Sequence, residues 1–271
     1  MATITASEVK RLREATSAGM MECKKALEEA NGNFEKAVEA LRISGAAKAA
    51  KRGAERTTSN GIVASEGNAL IELLCETDFV AKSEDVLALA TSIASAAQAS
   101  QVGSKDDLLA VTLASGNTAE AAIGELAGVI GEKIELGRVA VLEAPVALYL
   151  HKRASDLPPQ VGVLVAYSGN EESARGIAMQ IAAMRPQFLT REEVPAETIE
   201  SERRIAEETA KEEGKPEAAI SKIIEGRVNS FFKEVVLLEQ PSVTDNKKTV
   251  AQVLADSGTV VTAFARFEPG H

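Results

Sequence analysis

"GIVASEGNALIELLCETDFVAKSEDVLALA", residues 61–90, changes its period twice. Residues 61–77 read as two β-like runs around Glu66-Gly67-Asn68, a hairpin signal. Ser83 then opens a helix over 83–99 as its cap. Glu84 and Asp85 stand in the first turn, where the macrodipole favours acids. A second helix is predicted over 118–134, and "LGRVAVLEA" (136–144) returns as a strand. Hairpin, helices and returning strand make an antiparallel sheet with helices segregated to one side. That is an α+β plan.

The plan recurs downstream. "VALYLHK" (146–152) and "QVGVLVAYSGN" (160–170) read as strands, and "EESARGIAMQIAAM" (171–184) as a helix. Ile177, Ile181 and Met184 share one face of that helix, and Pro186 ends it. A strand "KEVVLLEQP" (233–241), a short helix "TVAQVLADSG" (249–258) and a strand "VVTAFARFEP" (260–269) complete the set. "GRVAVLE" (137–143) and "TAFARFE" (262–268) take corresponding closing places, a weak internal duplication. Inside this second half lies an insert at about 187–231, dense in Glu, Lys, Arg and Ala. Gly214-Lys215-Pro216 breaks it into a helical hairpin. Ile220, Ile224, Val228 and Phe231 form a narrow stripe like an antiparallel coiled-coil seam.

Ahead of the hairpin, residues 1–56 read as helices only. Thr5 or Ser7 caps the first, which carries Val9 and Leu12. The second places Met20, Met21, Lys24 and Leu27 on adjoining faces, so that one of the two methionines turns inward and the other outward. It stops at Asn31-Gly32. The third carries Phe34, Ala37, Val38 and Leu41 and stops at Gly45. A basic, alanine-rich connector follows. The expected organisation is a three-helix, ubiquitin-associated-like bundle with connector (1–56), then a core of two related antiparallel-sheet/helix subdomains (57–143 and 144–271), the second holding the inserted hairpin.

Composition narrows the function. The 271 residues carry a net charge of −10, which argues against direct nucleic-acid or anionic-membrane partners. The charge is uneven: residues 1–56 hold 11 basic against 8 acidic side chains, the remainder 19 against 32. A mildly basic head on an acidic body suits protein–protein docking. The opening "MATITASEVKRLREAT" lacks an apolar signal core, no run of 18 apolar residues occurs, and two unpaired cysteines fit a reducing compartment. A cytoplasmic location is expected. There is no GxxxxGK[ST], GxGxxG or HExxH, and Gly124, Gly128 and Gly131 match no nucleotide-binding spacing. Cys75, in an apolar strand run, reads as a buried inert thiol, and Cys23 likewise. His151 reads as a solvated or interface residue. No catalytic site, metal or cofactor is expected, and an interaction protein is favoured over an enzyme.

Phe79 remains. With seven Phe, two Tyr and no Trp in the chain, one aromatic stands directly after Glu76-Thr77-Asp78. It is either a hydrophobic staple onto Val86 or Leu87, with Asp78 as a cap, or a residue that something outside the chain needs. Two stretches bear on this. "LREATSAGMMECKKALEEANGNFEKAVEALRISG" (12–45) and "TDFVAKSEDV" (77–86) resemble the N-terminal domain and the T-D-F-V-A-K signature of the bacterial elongation factor Ts family. "GKPEAAISKIIEGR" (214–227) and "KTVAQVLADSGTVVTAFARFE" (248–268) are similar to it too, in the same order.

The resemblance implies a guanine-nucleotide exchange factor for the translational GTPase elongation factor Tu. It implies that Thr77, Asp78, Phe79 and Val80 form a loop entering the GTPase near its magnesium site, with Phe79 as a wedge. Leu12, Met20, Met21 and Lys24 of the bundle would contact the same domain, and His151 would sit where the family has an interface histidine. The second half of the core would reach another domain of the GTPase, and the hairpin would serve homodimerisation. Ser17 stands where the family often has Gly, and the linker after His151 departs from the family's shorter one. The sequence stops at "RFEPGH" where other members continue into a partner-touching helix, so binding is expected to rest on the remaining surfaces. The alternative is a non-catalytic adaptor whose bundle alone binds a small domain.

Overall fold

The computed structural model describes residues 4–16, 18–154 and 157–270, with 46–55 described by backbone alone. The expectations about Ser17 and part of the linker after His151 lie outside these residues. The fold mixes helices with two three-stranded sheets, as the α+β reading expects. Two compact units share the chain. One takes Met1–Val141, His151–Val161 and Phe267–His271; the other takes Leu142–Leu150 and Gly162–Arg266.

Helices α1 (Ala6–Thr16), α2 (Met20–Glu29) and α3 (Phe34–Glu55) open the first unit. Thr5, rather than Ser7, caps α1: its hydroxyl accepts from Glu8 N–H at 3.3 Å while the Glu8 carboxylate accepts from Thr5 N–H at 2.8 Å. Asn31 and Gly32, both at positive φ, end α2 as expected. Val9, Leu12, Cys23, Ala26, Leu27 and Ala37 form the core of the bundle. Gly45, expected to end α3, does not. Alanine, lysine and arginine continue beyond it, and these strong helix formers outweigh the roughly 1 kcal/mol that one glycine costs. The position lies beside a second helix, where a Cβ at Gly45 would meet the Gly128 Cα at an ordinary contact distance of 3.9 Å.

The first sheet has the order β1 (Asn60–Glu66), β2 (Ala69–Cys75), β3 (Ile134–Val141). All pairings are antiparallel, with Ile62 opposite Leu73 and Leu73 opposite Leu136. Gly67, at φ +51°, makes the predicted turn. Helices α4 (Asp78–Ala81), α5 (Glu84–Ser100), α6 (Lys105–Ala110) and α7 (Ala119–Ile130) pack with this sheet, whose Ile71, Leu73 and Leu136 meet Ala90, Ile93 and Ala94 in one core. Helix α6, six residues capped by Ser104, is too short to show a helical period and was not anticipated. Helix α7 ends at Gly131, earlier than predicted, in the left-handed region.

A charged ladder marks the same sheet. Glu72 on β2 is only 3% exposed, and accepts from the Arg138 backbone at 3.2 Å and its guanidinium at 2.9 and 2.7 Å. Arg138 lies 4.9 Å over the Phe267 ring and donates to the Glu268 carbonyl at 3.1 Å. Arg153 pairs with the buried Glu268 carboxylate, and Val63 N–H donates to Pro159 at 3.1 Å. Residues 151–161 and 267–270, remote in sequence, thus complete the first unit.

In the second unit β4 (Val146–His151), β5 (Val161–Ser168) and β6 (Val260–Phe267) repeat the order of the first sheet. Helix α8 (Glu171–Met184) matches its predicted range, with Ile177 and Ile181 buried but Met184 partly exposed at the last turn. The insert is a hairpin of α9 (Ala196–Glu212) and α10 (Glu217–Val235), followed by α11 (Val250–Asp256). Two expectations are corrected. The strand over 233–241 is instead the end of α10 and a 3₁₀ turn at Leu237–Glu239. Val235, Val236 and Leu237 are buried, and a short apolar run cannot be told from a buried helix end by period. On the seam the deeply buried aromatic is Phe232; Phe231 is only partly covered.

Candidate functional site

The strand β2 ends at Cys75, and the chain must turn before α5. It does so through the four-residue helix α4, capped by Thr77 rather than Asp78: the Thr77 hydroxyl accepts from Val80 N–H at 3.4 Å. The two sides of this turn have opposite fates. Val80 and Ala81 point into the core of the first unit. Phe79 points out and is 80% exposed. A staple onto Val86 or Leu87 would cover the ring, so that alternative is not the conformation observed. Asp78 pairs with Lys82 at 3.3 Å, one helical turn on, and the Lys82 ammonium lies 5.9 Å from the Phe79 ring centroid.

Carboxylates fix the base of the turn. Glu132, just past the end of α7, accepts from Thr77 N–H at 3.1 Å and from the Thr77 hydroxyl at 2.9 Å. Glu76 accepts from Lys133 N–H at 2.6 Å, and Arg56 donates to both its oxygens at 3.1 Å. The Cys75 thiol donates to the Thr77 carbonyl at 3.1 Å. Burial, and next the Glu132 carboxylate, push that thiol up to about 12, so it stays protonated and is no nucleophile at neutral pH. Sequence reading did not single out Glu76, Glu132 or Arg56. They lie 20 to 57 residues from their partners, and the only local sign is a polar Glu-Lys directly after a glycine helix stop.

On the bundle, Met20 (57% exposed) and Met21 (77% exposed) both face outward, correcting the expectation that one turns in. The buried face of α2 is already filled by Cys23, Ala26 and Leu27. Lys24 is exposed beside them and lies 3.8 Å from Glu28. Leu12 is the exception among the residues named for contact. It is fully buried in the bundle core, so in this conformation it supports the surface without being part of it. His151 is exposed at the end of β4, where its carbonyl accepts from Gln160 N–H at 3.0 Å.

Among the described residues, no group of three or more His, Cys, Asp or Glu side chains is arranged to hold a metal ion. Among them, too, no helix is long and apolar enough to cross a membrane. What the geometry offers is two exposed apolar surfaces, an aromatic beside a carboxylate and a methionine pair beside an ammonium.

Residues 76–271 match the family described as elongation factor TS. The chain is 62% identical over 270 residues to elongation factor Ts of Nocardioides sp., spanning 100% of both proteins. It is 61% identical over 274 residues to elongation factor Ts of Nocardia farcinica, and 58% identical over 271 residues to that of Mycobacterium ulcerans. In each case this covers 100% of this chain and 99% of the relative.

Proposed function

The chain belongs to the elongation factor Ts family of translation elongation factors, and from that premise we propose that it is a guanine-nucleotide exchange factor for elongation factor Tu. The observation that carries the reading is Phe79: a large ring, 80% exposed, on a short helix whose other side is locked into the core.

Exchange needs no acid, base or nucleophile in the factor. A protein that binds the nucleotide-free GTPase better than the GDP-bound form weakens GDP by the same ratio by which GDP weakens it. The work is to disturb the Mg²⁺ and phosphate site, because Mg²⁺ neutralises and bridges the phosphate oxygens. Phe79 enters as a wedge, gaining apolar burial as it displaces a partner element. Asp78 brings a carboxylate to the same place, exchanging its Lys82 partner for groups or water around the metal. Thr77 and Val80 hold the wedge from below. Met20 and Met21, adaptable side chains suited to binding surfaces, make a second contact with Lys24, and His151 a third. In this reading residues 1–56 and 57–143 engage the nucleotide-binding domain of the GTPase and 144–271 another of its domains. The hairpin, with Ile205 exposed on α9, is the self-association surface. The protein works in the cytoplasm.

The test is release of a fluorescent GDP from elongation factor Tu. The wild-type chain accelerates release in a saturable way; no acceleration over spontaneous loss would sink the proposal.

A further inference from the structure

Resting on that reading, we propose that Glu132 is a positioning residue for the exchange loop. It aims Phe79 by holding Thr77 in a reciprocal clasp with Glu76.

The clasp joins residues 76–77 to residues 132–133. Each segment lends a carboxylate to the other's backbone: Glu132 accepts from Thr77 N–H at 3.1 Å, and Glu76 accepts from Lys133 N–H at 2.6 Å. Glu132 also takes the Thr77 hydroxyl at 2.9 Å, while Arg56 anchors Glu76. Hydrogen bonds to ionised acceptors are shorter and stronger than neutral ones.

The loop needs such support. A helix of four residues does not sustain itself, because the first turn fixes several dihedrals for one hydrogen bond. Its own i to i+4 backbone bonds are few: Ala81 N–H to Thr77 and Lys82 N–H to Asp78, both 3.2 Å. Val80 and Ala81 anchor one end in the core. Phe79, mostly in solvent, cannot aim itself. Its direction follows from the backbone at Thr77: the Cys75 thiol holds the Thr77 carbonyl and the Asn60 amide the Glu76 carbonyl, while Glu132 alone takes both the Thr77 N–H and its hydroxyl.

Glu132 also ties the loop to the bundle. It follows Gly131, the stop of α7, and α7 is the helix against which α3 lies at the Gly45–Gly128 approach, with Arg42 paired to Glu125. The methionine surface and the aromatic wedge therefore hang from one rod. A wedge held in its bound orientation does not spend ordering entropy on binding.

The experiment uses the full chain with elongation factor Tu and fluorescent GDP, titrating the factor to separate maximal release rate from half-saturation. Glu132→Ala lowers the maximal rate about tenfold, the scale of one lost charge-assisted hydrogen bond, and shifts half-saturation by less than about twofold, since the bundle contact persists. Glu132→Gln recovers most of the rate, because an amide can still accept from Thr77 N–H and donate to its hydroxyl. The double variant Glu132→Ala, Phe79→Ala is no slower than Phe79→Ala alone, as one acts through the other. In the free chain, amide hydrogen exchange at 77–81 quickens in Glu132→Ala while α5 keeps its protection. Additive losses in the double variant, or a Glu132→Ala protein as fast as wild type while Phe79→Ala is slow, overturn the clasp and leave the exchange reading standing. A wild-type chain that releases no GDP overturns both.

Discussion

Replacing Phe79 with alanine separates binding from folding. In the free protein the ring is 80% exposed, so its removal empties no cavity. Alanine is the better helix former by up to about 0.7 kcal/mol, which offsets the loss of an exposed cation–π contact with Lys82 worth about 0.5 kcal/mol. The melting temperature is expected to stay within about 2 °C of wild type. The partner complex loses the burial. A phenylalanine fully removed from water contributes about 1.5–3 kcal/mol, and with four-fifths of the ring available the loss is about 1.2–2.4 kcal/mol. That corresponds to about 8- to 60-fold in the rate of GDP release. Stopped-flow release of fluorescent GDP at saturating factor measures it, and a thermal melt checks the fold. Phe79→Leu, which keeps part of the apolar area, falls between. A Phe79→Ala protein that releases GDP at the wild-type maximal rate refutes the wedge.

Met20→Ala with Met21→Ala raises the factor concentration for half-maximal release about tenfold, from partial loss of two apolar contacts, and leaves the urea midpoint in place. Arg138→Ala strips the guanidinium from the buried Glu72 carboxylate and costs about 3 kcal/mol in urea unfolding; an unchanged midpoint would show that the pair carries no net stability. Cys75 gives a pH signature. Its thiol is raised from an ordinary 9.0 to about 12, so the folded state holds its proton where the unfolded state has lost it. The contribution is intact below pH 9 and is lost as pH rises from about 9 towards 12. Cys75→Ala removes that part of the alkaline loss of stability, and iodoacetamide at pH 8 labels the urea-unfolded thiol but not the native one.

Elements with a strong local signal were legible. The Gly67 turn, the Ser83 cap and helix α8 follow from turn chemistry, capping and a 3.6-residue period, and each stands where those rules put it. Failures came where two rules competed. Gly45 looked like a stop, but the strong helix formers beyond it carry α3 onward. Val235-Val236-Leu237 looked like a strand because a buried helix end and a buried strand share the same apolar run. At the candidate site, composition picked out Phe79 as unusual but left its direction open, and helix spacing turned one methionine inward where both face outward. Leu12 was placed among the contacts by the family resemblance alone; its spacing from Val9 on a short helix fits the buried place it takes in the bundle core. Glu76 and Glu132 were invisible because their meaning lies in pairing across 55 and 57 residues.

The ladder of Glu72, Arg138, Phe267 and Glu268 has a consequence for the order of synthesis. Glu72 and Arg138 leave the ribosome more than a hundred residues before Glu268, whose carbonyl Arg138 binds across a separation of 130 residues. Until then the first sheet has its three strands and helices but lacks the residues that cover Arg138. A nascent chain ending at Val141 would hold a nearly formed first unit awaiting its last seal, and closure of so long a loop is slow compared with local helix and hairpin formation. The part that carries the bundle and the exchange loop is thus the earliest made and among the last completed.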